Sequence, residues 1–459
     1  MLSPPVPATD AAPVSFGREL RDTLVLALPL IAGQLSAIGM NVVDTMLAGH
    51  YNAHTLAAVA VGAGVWSLAI VTGIGVMMSV PPSVAQLAGA ERRAEIGPLF
   101  RQALWMALLL GIGLLLFIRY VGPMLLGGFG VDPGIVEDTT KFVRAISWGA
   151  PALTFYFAMR GFSEGLSLTR PTMYFGLFGL LLLAPIGYVL MYGKFGIAPR
   201  GAEGSGEATA VVLWIEAAAF ALYLNRHRNY RDIAPFARFD GPRWREIGAL
   251  LRLGVPMGIA LLMESGLFVC TALLIASLGA VTVASHQVAL NVASITFMVP
   301  LGLAMATTVR VGNAVGRGDR HGVRSAGLAG MTLSLGTQFV ASTAMAVFPQ
   351  AIAHAYTDDM AVAALAAQLL VLAAIFQLSD GIQVTAGGAL RGLKDTTMPM
   401  IITVLAYWAI GMPVGYWLAF HQGLGARGMW IGLAAGLTAA AVLLTLRFLR
   451  ASRPRSSMT

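Results

Sequence analysis

The chain has 459 residues, 57% of them hydrophobic and only 11% charged, with a formal net charge of +8 and a mean hydropathy of +0.74. A water-soluble globular chain carries about 25% charged residues, so this one lacks the polar groups to cover a hydrated surface. The single cysteine, Cys270, excludes an intrachain disulfide framework and a thiolate metal site, and the composition excludes a secreted enzyme or a disordered scaffold. The 53 glycines and 22 prolines lie scattered inside apolar runs, as membrane helices tolerate them. The sequence reads as an all-α polytopic membrane protein.

Residues 1–16 lack a basic stretch ahead of an apolar one and read as a disordered tail. Twelve apolar stretches long enough to cross the hydrocarbon follow, near 22–48, 54–80, 96–118, 139–159, 172–192, 205–224, 247–274, 281–309, 324–348, 360–386, 397–420 and 428–447. Between the sixth and seventh lies a basic connection, 225–245, containing Pro235 and Pro242. It divides the chain into two expected six-helix lobes, 17–224 and 246–448, and 449–459 forms a basic tail.

The basic residues fix an expected orientation. Of the 30 Lys and Arg, 24 fall on the side that holds the N-terminal arm, the loops after even-numbered spans and the C-terminal tail. The other side has only Arg119, Lys141, Arg144, Lys194, Arg200 and Arg427, with the acids Asp132, Glu137, Asp138, Asp358 and Asp359. Positively charged loops stay in the cytoplasm, so both termini are expected there. The basicity is then an orientation signal, and no soluble surface concentrates it for nucleic acid.

The chain repeats itself at an offset of 227. Pro29 falls on Pro256, Arg18-Glu19-Leu20 on Arg245-Glu246-Ile247, and Gln86-Leu87-Ala88-Gly89 on Asn313-Ala314-Val315-Gly316. Gly165-Leu166 and Thr169 fall on Gly392-Leu393 and Thr396. With an even number of spans in each half, both halves enter the membrane from one side, giving parallel repeats about an axis along the membrane normal. Such a pair encloses a central cleft, and rocking one bundle against the other gives alternating access. Pro29 and Pro256 each remove a ladder donor and are expected to kink their helices.

Acids inside the spans are few, and each costs about 2.5–3.5 kcal/mol at a helix centre on insertion scales. Glu264 in LLMESGLF and Asp380 in FQLSDGIQV lie 12 residues from Arg252 and 11 from Arg391. At the helical rise those are about 18 Å and about 16.5 Å, which puts both carboxylates near the midplane. Asp44, 23 residues beyond Arg21, is nearer the outer mouth at about 34 Å. Under the repeat Glu264 falls on Ala37 and Asp44 on Thr271, so the acids break the symmetry. Intramembrane carboxylates mark ion and proton pathways, which makes Glu264 and Asp380 a candidate Na⁺ or proton site and Asp44 a second acidic site. Glu216 is a fourth acid, read as structural.

Other motifs carry less. Gly161-Phe162-Ser163-Glu164-Gly165 fits the nucleophile-elbow pattern but has no strand before it, so no hydrolase is expected. Lys141, Lys194 and Lys394 are the only lysines and none sits in a phosphate-binding loop, which points to an ion gradient as the energy source. His286 reads as a satisfied polar residue. Gln34, His286, Gln287, Asn291 and Gln383 are nonetheless polar candidates for the cleft.

Asp44 in the first span, ESGLF in the seventh, ASHQVALN opening the eighth, RVGNAVGRGD after it and SDGIQVTAGGALRGLKDT from the tenth together resemble the multidrug and toxic compound extrusion (MATE) family, in its NorM-like branch. The likeness runs from about Arg18 to Arg447. It implies twelve transmembrane helices in two pseudo-symmetric six-helix lobes, an outward-facing V-shaped cleft, and export of organic, often cationic and aromatic, compounds in exchange for Na⁺ or H⁺. The family's cation-site residues map onto Glu264, Asp380 and Phe376, and its first-lobe acid onto Asp44. It implies a monomer in the bacterial inner membrane that meets small organic cations and membrane lipids, with no cofactor beyond the coupling ion. In the fifth span the family often flanks a proline with asparagines, whereas this chain has Leu183 and Gly187 around Pro185, which removes polar partners from that span.

The expected mechanism is competition for charge between the exported cation and Na⁺ or H⁺ at Glu264 and Asp380. A lipid-linked precursor flippase is the alternative. It would need a strongly cationic cleft, and only Arg119, Arg144 and Arg160 lie near span interiors or ends. A channel is the third class and would show steady current under voltage clamp.

Overall fold

The computed structural model describes residues 15–128 and 133–453. The rest of the two expected tails, 1–14 and 454–459, lies outside the described residues, as does Asp132 of the outer acidic set. Among the described residues there is helix and no strand. Twelve rods follow in chain order: α1 Phe16–Tyr51, α2 Ala53–Gly89, α3 Arg93–Met124, α4 in two pieces (Pro133–Ser147 and Gly149–Gly165), α5 Arg170–Tyr192, α6 Gly201–Arg226, α7 Trp244–Ala276, α8 Ala280–Gly316, α9 Arg320–Val347, α10 Met360–Gly392, α11 Thr397–His421 and α12 Ala426–Ala451. Every expected span has its helix. Side-chain caps set several starts: Asn52 accepts from the Thr55 amide at 2.6 Å, Asp319 from Gly322 at 2.7 Å and Asp359 from Ala361 at 2.8 Å.

Ten of the rods are long and apolar enough to cross a membrane by composition; α4 and α9 are the exceptions. The first piece of α4 carries Glu137, Asp138, Lys141 and Arg144. The polar groups of α9 are turned inward instead. Ser334 and Ser342 donate to the Gly381 and Ala374 carbonyls of α10 at 2.8 and 2.6 Å, and Gln338 Nε2 donates to Gln377 Oε1 at 2.6 Å. Phe339, Val340 and Val347 stand exposed on its other side. Interhelical polar contacts of this kind hold membrane helices together where the lipid offers no hydrophobic drive.

The helices gather into two compact units, Met1–Ile31 with Ala85–Arg92 and Met263–Thr459, and Ala32–Val84 with Arg93–Leu262. The units follow the two halves of the chain except at α1, α7 and the end of α2. The first half of α1 packs in the C-terminal unit, where Ala27 and Leu30 form a core with Leu303 and Ala306 of α8. The first half of α7 packs in the N-terminal unit, where Gly254 and Gly258 lie against Val76 and Thr72 of α2. Pro29 and Pro256 both lie within continuous helix, close to these crossings.

These exchanged contacts are related by the 227 offset. A methyl added at Gly302 would meet Ile31, and one added at Gly75 would meet Gly258; the two pairs are the same pair read from opposite repeats. Gly89 lies on the backbone of Asn313 while Gly316 lies on that of Gln86, again a reciprocal pair. Reciprocity of this kind carries the sequence repeat into the local packing of each unit. The asymmetric addition is an ion pair in the C-terminal unit, where Arg310 of α8 grips Glu19 of α1 through two bonds of 2.8 and 2.5 Å.

Candidate functional site

In the C-terminal unit, α10 carries Phe376, Asp380 and Gln383 at spacings of four and three, so they share one face. Neighbours fix the helix rotationally. Gln377, one position on, donates to the Ala293 carbonyl at 2.8 Å and the Thr296 hydroxyl at 2.6 Å, both on α8. Asp380 is buried, and its Oδ1 has no hydrogen-bond partner among the described residues; the same holds for Gln383 Oε1. Glu264 of α7 is partly buried and lies within electrostatic range of Asp380. The structure therefore brings the two expected acids together.

Two further groups join them. Arg391, used above as a marker of the membrane edge, instead has Nε and Nη2 sealed from solvent without a partner, and its charge is felt by Glu264. Tyr407, in a π-helical turn of α11, is fully buried with an unpartnered hydroxyl, within range of both acids. Buried polar atoms in folded proteins are nearly always paired, so the orphaned atoms of Asp380, Gln383, Arg391 and Tyr407 make this cluster a candidate binding site. Carboxylate, amide and phenol oxygens are the ligand types a hard cation takes. Sequence reasoning missed Arg391 and Tyr407; the signal for Arg391 was a charge at the inner end of the same helix as Asp380.

Phe376 is buried edge-on to Phe268 and Trp430, at 6.2 and 5.6 Å between ring centres. His286 is buried, and its Nδ1 accepts from the Trp430 indole at 3.1 Å, while Nε2 has no partner. The ring is thus half satisfied. Gln287 and Asn291, on the same helix as His286, are exposed.

In the N-terminal unit, Asp44 of α1 meets α6. Ser205 donates to Oδ1 at 3.2 Å and Thr209 to Oδ2 at 3.1 Å. These hydroxyls, four residues apart in the small-residue run AEGSGEATA (202–210), supply what α5 does not, since Leu183 is packed in a purely apolar cluster with Ala208 and Val212. Gln34 belongs to a different network: its Oε1 accepts from Arg160 at 3.0 Å, and Arg160 pairs with Glu164 at 2.6 Å, which also accepts from Thr172. Glu216 is buried on α6 against Gly179 of α5 and feels the Arg160 charge. Ser163 is fully buried and hydrogen-bonded to the Leu168 carbonyl and the Tyr230 hydroxyl, each at 2.7 Å, so it is a packing residue.

Among the described residues no group of three or more His, Cys, Asp and Glu could hold a metal ion.

Comparison with known proteins agrees with this architecture. The MatE family model matches the chain twice, over residues 29–189 and 256–417, and the two matches start 227 residues apart, on Pro29 and Pro256. The probable multidrug resistance protein NorM of Xanthomonas axonopodis pv. citri is 52% identical over 446 residues, covering 97% of each chain. The multidrug resistance protein PmpM of Pseudomonas aeruginosa is 41% identical over 96% of this chain and 94% of its own. Among solved structures, the eukaryotic MATE transporter AtDTX14 superposes with a TM-score of 0.86 at 21% identity, over 95% of this chain and 99% of that one. A MATE protein in a bent conformation gives 0.86 at 19% identity, over 96% and 98%. With twelve helices in two lobes, a doubled family match and full-length relatives, the chain belongs to the MATE family of ion-coupled membrane transporters and is not an enzyme.

Proposed function

We propose that this chain is a secondary antiporter of the bacterial inner membrane that exports organic, mostly cationic and aromatic compounds in exchange for Na⁺ or H⁺. The observation that carries the reading is the cluster of Glu264, Asp380, Arg391 and Tyr407 in the C-terminal unit, where the Arg391 guanidinium acts on Glu264 and Glu264 in turn neighbours Asp380. Arg391 offsets the Glu264 charge, and the Asp380 charge is left for a visitor. A Na⁺ ion or a proton at Asp380 removes that charge, and a drug cation held by it is then released. One charge moving inward down 100 mV supplies about 2.3 kcal/mol, or roughly fifty-fold accumulation per coupled ion.

The relatives named above as multidrug resistance proteins support drug export as the task. The distribution of basic loops supports termini in the cytoplasm. Lobes of 17–224 and 246–448, rocking about the connection between them, fit the repeat, and the chain works as a monomer. Phe376 contributes an aromatic wall beside Asp380, and Asp44 a second acidic site in the N-terminal lobe.

The test is ethidium efflux from proteoliposomes with Na⁺ and pH gradients imposed separately. Efflux driven by one gradient and lost on Asp380→Asn is expected and identifies the coupling ion. Efflux insensitive to both gradients, or unchanged by both Glu264→Gln and Asp380→Asn, overturns the mechanism.

A further inference from the structure

The connection between α6 and α7 does not hang free. Arg101 of α3 donates to the Asp240 carboxylate at 2.5 Å, and Trp105 donates to the Asp240 carbonyl at 2.8 Å. Gln102 binds the Gly241 carbonyl at 3.1 Å and accepts from the Arg243 amide at 2.7 Å. Phe236 stands edge-on to Phe100 and Phe239 to Trp105, at 5.6 and 5.8 Å. Tyr230, at the start of the strap, is buried against Ser163, and that burial pushes its phenol up to about 12, so it remains a neutral hydrogen-bonding group.

Between this strap and the helices lies a cavity of ≈ 300 Å³, walled by Leu104 and Leu108 of α3, Phe155 of α4, and Phe236 and Phe239 of the strap. Its two cations differ. Arg101 is neutralised by Asp240, whereas Arg238 is exposed and has no acidic partner among the described residues. Continuing the Trp105 face of α3 at helical spacing, Leu109, Ile112 and Leu116 are exposed and form an apolar stripe suited to hydrocarbon. The slot is thus lined by apolar side chains of α3 and the strap, with an exposed, unpaired guanidinium in its wall. Phe239 of the wall is 88% exposed, and Trp244, five residues on, is 66% exposed, as aromatic residues are at a membrane–water interface.

We propose that this cavity is a binding site for an anionic phospholipid, with an acyl chain between α3 and the strap and the phosphate on Arg238. A guanidinium matches a phosphate through paired N–H donors, and the five other arginines of 225–245 add a favourable field for an anionic headgroup. A cationic solute would meet the same field as repulsion, so this is not a second drug site. The choice of an anionic lipid rests on the cytoplasmic placement of the connection proposed above. Because the strap ties α3 to the start of α7, an occupied slot braces the joint between the two repeats.

Delipidated full-length protein in detergent provides the test, read by native mass spectrometry and thermal unfolding. The probes are phosphatidylglycerol, phosphatidylcholine with identical chains, inorganic phosphate and ethidium. Phosphatidylglycerol is expected to be retained and to raise the unfolding midpoint at concentrations about tenfold below those needed for phosphatidylcholine, the worth of one charge-assisted hydrogen bond. Arg238→Gln, an exposed substitution, should erase that tenfold preference, and Leu108→Trp, filling the slot, should weaken retention of both lipids. Equal response to the two lipids, an unchanged preference in Arg238→Gln, or protection by phosphate or ethidium alone overturns the proposal. None of these readouts uses transport, so they stand or fall separately from the antiport mechanism.

Discussion

Asp44 and Asp380 are both aspartates set in apolar helices, and their surroundings differ in kind. Asp44 has a hydroxyl donor on each oxygen, from Ser205 and Thr209. Asp380 has an oxygen with no donor, an acid for a neighbour in Glu264, and a buried arginine and tyrosine that are themselves unpaired. A satisfied carboxylate is at rest, and a crowd of unsatisfied groups is not. A buried charge is tolerable when it is paired, and the pairing at Asp380 is incomplete without a cation. On the mechanism proposed above, this difference ranks the C-terminal site first in coupling and Asp44 second.

The largest expected effect tests that ranking directly. Asp380→Asn and Glu264→Gln should each lower gradient-driven ethidium efflux by about 100-fold, the upper range for losing a charge-assisted contact, with expression unchanged. Arg391→Gln should come next. Without its counter-charge the acidic pair should hold the coupling ion about tenfold more tightly, measured as the half-saturating Na⁺ concentration or the midpoint of the transport pH profile. A weaker affinity in that variant would mean that Arg391 does not offset Glu264. Asp44→Asn should reduce efflux only about fivefold, since hydroxyl partners can serve an amide as well; a loss equal to that of Asp380→Asn would reverse the ranking. Stripping the donors with Ser205→Ala and Thr209→Val should lower stability by about 1 kcal/mol each in thermal unfolding and leave the ion dependence in place. Smallest of all, Trp430→Phe frees His286 from one neutral bond, and the efflux rate should stay within about threefold of the parent.

Much of this was legible from residue types alone. An acid in an apolar stretch is conspicuous because it is expensive there, so Glu264, Asp380 and Asp44 could be named, and the 227 offset exposed the repeat before any packing was known. Partners were harder to see. Ser205 and Thr209 sit in a run of small residues whose inward face depends on how α6 is rotated, and Gln34 turned out to serve Arg160 and Glu164. Arg391 was hidden by the habit of reading arginines as membrane-edge markers, although a long side chain can run back along its helix. Low hydropathy along α9 reflects hydroxyls and amides spent on α10, which a composition window cannot distinguish from exposure to water.

The reciprocal pairs Ile31–Gly302 and Gly75–Gly258 have a corollary. Each repeat completes its core with half a helix from the other, so a single repeat made alone would leave that surface open, and two identical copies would close it on each other. The strap after α6 is the seam between the two repeats. Cutting the chain at that seam and co-expressing the fragments should therefore restore an assembled protein, while either fragment alone should aggregate.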